Sequence, residues 1–410
     1  MHAGHTLPEM AISQSDRVAW WAHRQGLTGE LAGATPAGVL TRAGWARSVG
    51  GVTPYLAFFA RSGIRRADAD AALLALDVHE LPSTRGCAYV IPRDEYSVAL
   101  TLGHGFAGTE LKIAAKISDY SEADAAKLDC QILEILAGGP ADPSELRQVL
   151  GVSVRAFGPE GKKRGLISSL PISLGRLQAA GKIRRIPTDG RLDTQRYKYA
   201  AWPDGPLAHD SITADEATAA IADWYFGWIG SATPEEFGWF TAWNKSKIKK
   251  ILEGKDFVET GDGRLATPSA AAELAEYKAP KNPDVRLIGS LDSLVLLRRN
   301  HLDLIDPQDL TSQPGQLMRS GHGTGLTDLP YHAVTDRGRI IGYWDFDHAA
   351  REIIAVPLNP LPPAVAKSWD KAVAETQSYI VDDLDDARMM SLDSPKSREK
   401  RLAPLRNLLN

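Results

Sequence analysis

The stretch "TPEEFGWFTAWNKSKIKKILEGKDFVETGDGRLATP", residues 233–268, contains the signals of two helices followed by a β-hairpin. Thr233 is a good helix N-cap, Pro234 fits the first helical position, and Glu236 completes the spacing of a capping box. The Lys-rich segment that follows predicts a second helix, and Asp262-Gly263 is a strong hairpin-turn signal. Helix, helix and hairpin is the order of a winged helix-turn-helix, whose second helix usually enters the DNA major groove.

The same order occurs three times along the chain. Its openings are Thr53-Pro54, Asp142-Pro143 and Thr233-Pro234, which lie 89 and then 91 residues apart. The first two openings are also followed by a second helical stretch and by a hairpin, with turns at Arg85-Gly86 and Asp189-Gly190. Because a repeat of this length is too long for a solenoid, the pattern predicts tandem small domains.

After about residue 283 the composition shifts toward β-branched and aromatic residues, as in "YHAVTDRGRIIGYWDFDHAAREIIAVPL". This texture predicts a small mixed or barrel-like β domain. The expected fold class is therefore mixed α/β, mainly α, with three tandem winged-helix domains before a β-rich domain. We place the winged helices at 12–118, 119–210 and 211–282, and the β-rich domain with its helical tail at 283–410.

Composition and motifs exclude several functional classes. The 410 residues carry a formal charge of −4, so the whole chain has no general attraction to nucleic acid. Cys87 and Cys130 have no zinc-site or disulfide spacing, the scattered histidines predict no metal site, and no cofactor motif is found. The Gly-rich "SGHGTG" at 320–325 lacks the strand-to-helix context of a phosphate loop. We expect a monomer without membrane spans, cytoplasmic, and nucleoid-associated when bound to DNA.

The charge is unevenly distributed. Residues 151–200 hold eleven Lys and Arg against three acids, a balance of +8, so the rest of the chain carries −12. Clustered cations of this kind can hold DNA phosphates without reading sequence. A solvated surface is the alternative. The candidate phosphate ligands are Arg184, Arg185, Arg191, Arg196 and Lys198 in the second hairpin, Lys162, Lys163 and Arg164 in a Gly-flanked loop, and Lys245 and Lys247, with Lys249 and Lys250, on the third unit's second helix.

Several segments give the chain a family resemblance. They include "VGGVTPYLAFFA" at 49–60, "RGCAYVIPRDEY" at 85–96, "LGRLQAAGKIRRIPTDGRLDTQRYKYA" at 174–200 and "LIGSLDSLVLLRR" at 287–299. With the order of elements, they resemble the winged-helix DNA glycosylases of the AlkZ and YcaQ type over about residues 18–358. The resemblance implies three tandem winged helices with a C-terminal β element, and excision of N7-alkylguanine with unhooking of interstrand crosslinks.

The resemblance also implies site residues. The family's QxQ or QxD motif, thought to hold a water against the sugar, falls on Thr53-Pro54-Tyr55, so both functional positions are changed. Thr53 and Tyr55 are the candidate catalytic residues because their hydroxyl groups could orient a water. The alternative is that Thr53 caps a helix and Tyr55 is a packed aromatic. Arg85 matches the "RG" that lies near DNA in the family; its alternative role is an ion pair that braces the hairpin.

Three functions stay open. The leading hypothesis is a protein that binds double-stranded DNA, damaged or alkylated, and has lost or rebuilt the hydrolytic step. The second is an active monofunctional DNA N-glycosylase with a rebuilt water-positioning site. The third is a non-enzymatic transcription regulator, which three unlike modules in one chain disfavour because such factors usually dimerise on repeated half-sites.

Overall fold

The computed structural model describes residues 12–49, 51–194, 196–298, 300–316, 329–390 and 393–409. It is mainly helical and contains small antiparallel sheets, which confirms the mixed, mainly α fold class. The "SGHGTG" segment lies outside the described residues. We call residues 12–118, 119–210 and 211–282 the first, middle and third units; each contains two successive helices followed by a hairpin.

The first unit contributes a three-stranded sheet of order β1-β3-β2 and the helices around it. Its elements are α1 (Gln14–Arg24), α2 (Pro36–Ala43), β1 (Ala46–Arg47), α3 (Thr53–Ser62), α4 (Arg66–Leu74), β2 (Val78–Pro82), β3 (Ala88–Pro92), α5 (Tyr96–Ala107) and α6 (Thr109–Ser118). The predicted hairpin is present as β2 and β3, which pair from Val78↔Pro92 to Pro82↔Ala88.

The start of α3 differs from the prediction. Thr53 is the first residue of the helix and Val52 is its N-cap, without a side-chain cap. The backbone N–H of Val52 instead donates to the carbonyl of Arg388 at 2.9 Å. The helix start is thus held by a distant segment of the chain, and the expected capping role of Thr53 is wrong.

The middle unit carries the two-stranded sheet of β4 and β5. Its elements are α7 (Glu122–Ala137), α8 (Pro143–Leu150), α9 (Gly158–Lys163), α10 (Ser169–Ala179), β4 (Ile183–Pro187), β5 (Tyr197–Ala201) and α11 (Pro206–His209). Asp142 and Glu145 form the predicted capping box. The segment 158–163 was expected to be a loop but forms the short helix α9. Gly161 permits this packing, because a Cβ there would lie 2.3 Å from the Phe157 Cβ.

The third unit follows the predicted order. Its elements are α12 (Ala214–Ile229), β6 (Ser231–Ala232), α13 (Pro234–Thr241), α14 (Lys245–Glu253), β7 (Val258–Glu259), β8 (Leu265–Ala266) and α15 (Pro268–Glu276). Thr233 and Glu236 form a capping box at the start of α13. Asp262 and Gly263 have φ angles of 54° and 67°, the left-handed conformation that a tight hairpin turn needs.

The C-terminal segment forms an open sheet, so the barrel-like expectation is wrong. Its elements are β9 (Val285–Ile288), α16 (Ser293–Leu296), α17 (Gln313–Gln316), β10 (His332–Asp336), β11 (Arg339–Asp347), β12 (Glu352–Pro357), α18 (Pro363–Tyr379) and α19 (Pro395–Leu409). The strand order is β12-β11-β10-β9 with every pair antiparallel. Strands β12 and β9 form the two edges of this sheet, and α18 packs across it and contacts both of them.

Hydrophobic cores cross the predicted domain boundaries. Tyr55 and Phe58 of α3 share one core with Val334 and Trp344 of the C-terminal sheet. The middle unit has a core between α7, α8, α10 and its hairpin, and its Leu192 also joins the core of α3. The boundaries stay a prediction, and the first unit and the C-terminal sheet stabilise each other directly.

Candidate nucleic-acid interface

Tyr55 lies in the core, and its hydroxyl group has partners on two other elements. The hydroxyl donates to the Asp70 carboxylate on α4 and accepts from the backbone N–H of Leu192 at 2.8 Å. Burial, and then the neighbouring Asp70, raises the pKa of Tyr55 far above its usual range. Thr53 is also buried. This geometry favours the packing alternative for Tyr55, whereas Thr53 is buried without capping the helix. The catalytic role of both residues stays a prediction.

Tyr55→Phe is expected to lower the free energy of unfolding by about 1–3 kcal/mol, because the Leu192 N–H loses its acceptor and the Asp70 carboxylate keeps Arg66 but loses the hydroxyl donor. Urea unfolding measures this loss. Tyr277→Phe is the control, since its hydroxyl makes one long contact of 3.4 Å to Ala19. Unchanged stability in Tyr55→Phe, together with lost strand cleavage at a lesion, would instead support the catalytic role.

Arg185 of the middle hairpin is paired inside the protein. Its Nη1 donates to Oε1 of Glu80 on β2 at 2.7 Å, and its guanidinium lies 5.1 Å from the Tyr197 ring centroid. Glu80 is buried and also accepts from the hydroxyls of Ser48 and Tyr197. These contacts make Arg185 a brace between the first and middle hairpins.

The other cations of the middle hairpin divide into engaged and exposed groups. Arg191 donates twice to the carboxylate of Asp193, at 2.7 and 2.6 Å, and also to the carbonyl of Leu384. Arg184 is half-buried, and burial lowers its pKa. Arg196 is exposed, and Lys198 Nζ lies 4.0 Å from Glu145 Oε1. Several cations of the hairpin are therefore already paired with groups of the same chain.

The cations at the end of α9 are exposed to solvent. Lys162, Lys163 and Arg164 all have exposed side chains. Lys163 Nζ and Arg164 Nε lie 3.7 and 3.1 Å from the two carboxylate oxygens of Glu160. Exposed pairs of this kind are weak, so these cations remain available to an anionic partner.

Helix α14 presents the clearest cationic surface of the chain. Ile248 packs into the core, whereas Lys245, Lys247, Lys249 and Lys250 are exposed. We call these four residues the α14 lysines. Lys247 Nζ lies 3.8 Å from the Trp243 ring centroid, and partial burial lowers its pKa. One weak ion pair, from Lys249 to Glu253 at 3.6 Å, competes for this charge.

Arg85 lies at the tip of the first hairpin and joins it to the third unit. Its φ angle of 60° turns the chain sharply. The guanidinium carbon lies 3.6 Å from the Trp239 ring centroid, and Nη1 donates to the Trp239 carbonyl. The alternative role predicted for Arg85 was an ion pair; an aromatic ring and a carbonyl oxygen take that place.

A cavity of about 590 Å³ separates the tip of the first hairpin from α10. Helices α5, α6 and α8 and the middle hairpin complete its walls. The lining includes Arg85, Phe106, Arg147, Gly175, Gln178 and Arg185. Along α10 most side chains are buried, and the outward residues are Pro171 and Gly175. This second helix therefore differs from α14, since it presents a small uncharged surface.

Comparison with known proteins shows which family the chain belongs to. A family model described as "DNA glycosylase AlkZ-like" matches residues 51–379. The chain belongs to the AlkZ-like DNA glycosylase family. The resemblance predicted from the sequence is thereby confirmed.

A solved structure agrees with this assignment. The AlkZ-like chain superposes on Streptomyces sahachiroi DNA glycosylase AlkZ with a TM-score of 0.69 and 20% sequence identity, over 90% of this chain and 96% of that one. At this identity the likeness shows the shared fold. No curated protein matches the chain.

The cavity residues that sequence reasoning missed in this AlkZ-like chain include Arg147, Gly175 and Gln178. Gly175 offered a signal, because glycine inside a helix destabilises it relative to alanine and is therefore unusual in a helical pattern. Arg147 and Gln178 offered none. Among the described residues, no group of three or more His, Cys, Asp or Glu could hold a metal ion. No helix within the described ranges is long and apolar enough to cross a membrane.

Proposed function

We propose that this AlkZ-like chain binds double-stranded DNA, including alkylated DNA, through three tandem winged-helix units. The observation that carries the proposal is the cationic exposed face of α14, the second helix of the third unit. In a winged helix this position faces the duplex. Membership of a DNA glycosylase family supports DNA as the partner.

We assign the phosphate contacts to cations that are exposed and not already bound to buried carboxylates. The α14 lysines, the exposed cations Lys162, Lys163 and Arg164, and Arg196 are available to DNA. Arg185 and Arg191 already bind carboxylates of the chain. The third unit is therefore the main phosphate contact in the proposal, and the middle hairpin mainly holds the units together.

Hydrolysis of the glycosidic bond requires more of the protein than DNA binding does. A cationic N7-alkylguanine leaves with little help, so the protein has to position a water and stabilise the sugar cation. The packed geometry of Tyr55 supports a protein that binds DNA without this step. An active N-glycosylase is the second candidate, favoured by the family, and in it Thr53 and Tyr55 would orient the water.

One experiment separates these functions. The purified protein is incubated with a duplex that contains a single N7-methylguanine, and the products are examined by gel shift and by alkaline cleavage. A shift without breaks at the lesion is the expected result. Breaks above the spontaneous level would establish an active glycosylase, and the absence of any shift would overturn the DNA-binding proposal.

Replacing all four α14 lysines by Ala is expected to weaken duplex binding at least about tenfold near 0.1 M salt, because phosphate contacts release counterions. The slope of log affinity against log salt should fall by about one for each lysine that contacts a phosphate. Ala is a better helix former than Lys, so α14 persists. Fluorescence anisotropy at several salt concentrations measures both quantities.

The control is Lys367→Ala with Lys371→Ala, which removes from α18 two exposed lysines four residues apart, the spacing of Lys245 and Lys249 on α14. It should leave affinity and slope unchanged. Equal losses in control and test variants would mean that general charge, and not the α14 surface, attracts the DNA.

A further inference from the structure

The cavity beside α10 is not part of the proposed duplex contacts. Its volume of about 590 Å³ lies in the range of pockets that hold small organic groups. Phe106, Leu170 and Pro171 are among its apolar lining residues. Arg147 is exposed and Arg85 half-exposed at its lining. Apolar walls with cations beside them suit a flat ring that carries phosphate groups.

Gly175 marks open space on the cavity side of α10. It lies inside the helix with an ordinary backbone conformation, and a Cβ built there would meet no heavy atom within 4 Å. Glycine is among the poorest helix formers, so the helix loses stability by having it at this position. An absent side chain at such a site permits close approach of a ligand to the helix.

Gln178 supplies an independent observation three residues further along α10. Its side chain is 2% exposed and lines the cavity. The Nε2 group has no acceptor among the described residues. A buried amide N–H without a partner costs free energy unless a ligand satisfies it. Side-chain amides pair well with the hydrogen-bonding edges of nucleobases.

We infer that this cavity receives one unstacked purine base of the bound DNA, with Gln178 donating to the base edge and Arg85 and Arg147 near the flanking phosphates. The inference rests on the proposed DNA binding and names the ligand of a second site. A base leaves the duplex most easily where it has no pairing partner. The protein should thus prefer duplexes that contain an unpaired purine.

The test compares two short duplexes, one with guanine opposite cytosine and one with guanine opposite an abasic-site analogue. The wild-type protein should bind the second about tenfold more tightly, as expected for one additional recognised group. Gly175→Phe fills the open space and should bring the ratio of the two affinities to about one, whatever its effect on the fully paired duplex. Anisotropy titrations measure the ratio of the two affinities.

Two control variants check that the effect of Gly175→Phe comes from filling the cavity. Gly175→Ala strengthens the helix and leaves most of the cavity open, so it should keep the preference. Gly105→Phe makes the same replacement at a glycine of α5 that also faces open space and is outside the cavity lining. It should keep the preference as well.

Each adverse result has a distinct meaning. Equal binding of both duplexes by the wild type, or an unchanged preference in Gly175→Phe, would overturn the base pocket and leave duplex binding intact. Failure to bind either duplex would overturn the proposed function and the pocket together. Saturable binding of free deoxyguanosine monophosphate, blocked by Gly175→Phe, together with equal binding of the two duplexes, would assign the cavity to a free nucleotide and overturn its role with DNA.

Discussion

Arg61→Ala is expected to lower the free energy of unfolding by about 3–5 kcal/mol, the cost of leaving one charge of a buried ion pair without its partner. Arg61 on α3 binds both carboxylate oxygens of Asp292, at 2.7 and 2.8 Å, and both side chains are fully buried. Arg61 also donates to the Gln25 carbonyl at 2.8 Å. The substitution therefore separates α3 from the start of α16 and the end of α1.

Chemical denaturation of the two proteins measures this difference. Lys371→Ala is the control, because it removes an exposed ion pair to Glu375 on α18 that should contribute about 0.5 kcal/mol or less. A loss in Arg61→Ala as small as that of the control would show that the pair adds little to stability.

Arg185→Ala is expected to destabilise the fold by about 2–3 kcal/mol, somewhat less than a fully buried pair because the Arg185 side chain is partly exposed. The reason is the buried Glu80 carboxylate, which keeps hydroxyl donors but loses its cation. The salt dependence of DNA binding should remain unchanged at temperatures where the variant is folded.

Arg184→Ala is the neighbouring control for Arg185→Ala. Arg184 is half-buried on the same strand, and its loss should have a smaller effect on unfolding. A reduced salt slope in Arg185→Ala, without lost stability, would return Arg185 to the phosphate-binding surface. Denaturation and anisotropy on the same samples distinguish the two outcomes.

The sequence predicted those features of the fold that depend on near neighbours. The capping boxes at Asp142 and Thr233 are formed by residues three apart, and the Asp262-Gly263 turn depends on two residues with left-handed φ. The order of strands in the C-terminal sheet and the N-cap of α3 depend on distant contacts. These features could not be predicted from local pattern.

In the candidate site, too, the features set by near neighbours were predictable and those set by distant contacts were not. A cluster of Arg residues is visible in the sequence, but whether each faces solvent depends on partners far along the chain. Glu80 is 105 residues from Arg185, and Asp292 is 231 residues from Arg61. The cavity beside α10 is formed where several elements converge, so only Gly175 gave a sign of it. The predicted helix carries the α14 lysines exposed, while Ile248 packs into the core; their contact with phosphate stays a prediction.

The core that α3 shares with the C-terminal sheet has a consequence for the growing polypeptide on the ribosome. That core includes both Val39 and Met389, so it stays incomplete until Met389 has emerged. The middle unit completes its own core between Leu128 and Tyr199. We therefore expect the middle unit to fold first in the nascent chain. Until the C-terminal sheet has formed, the first unit exposes apolar surface that chaperones can bind.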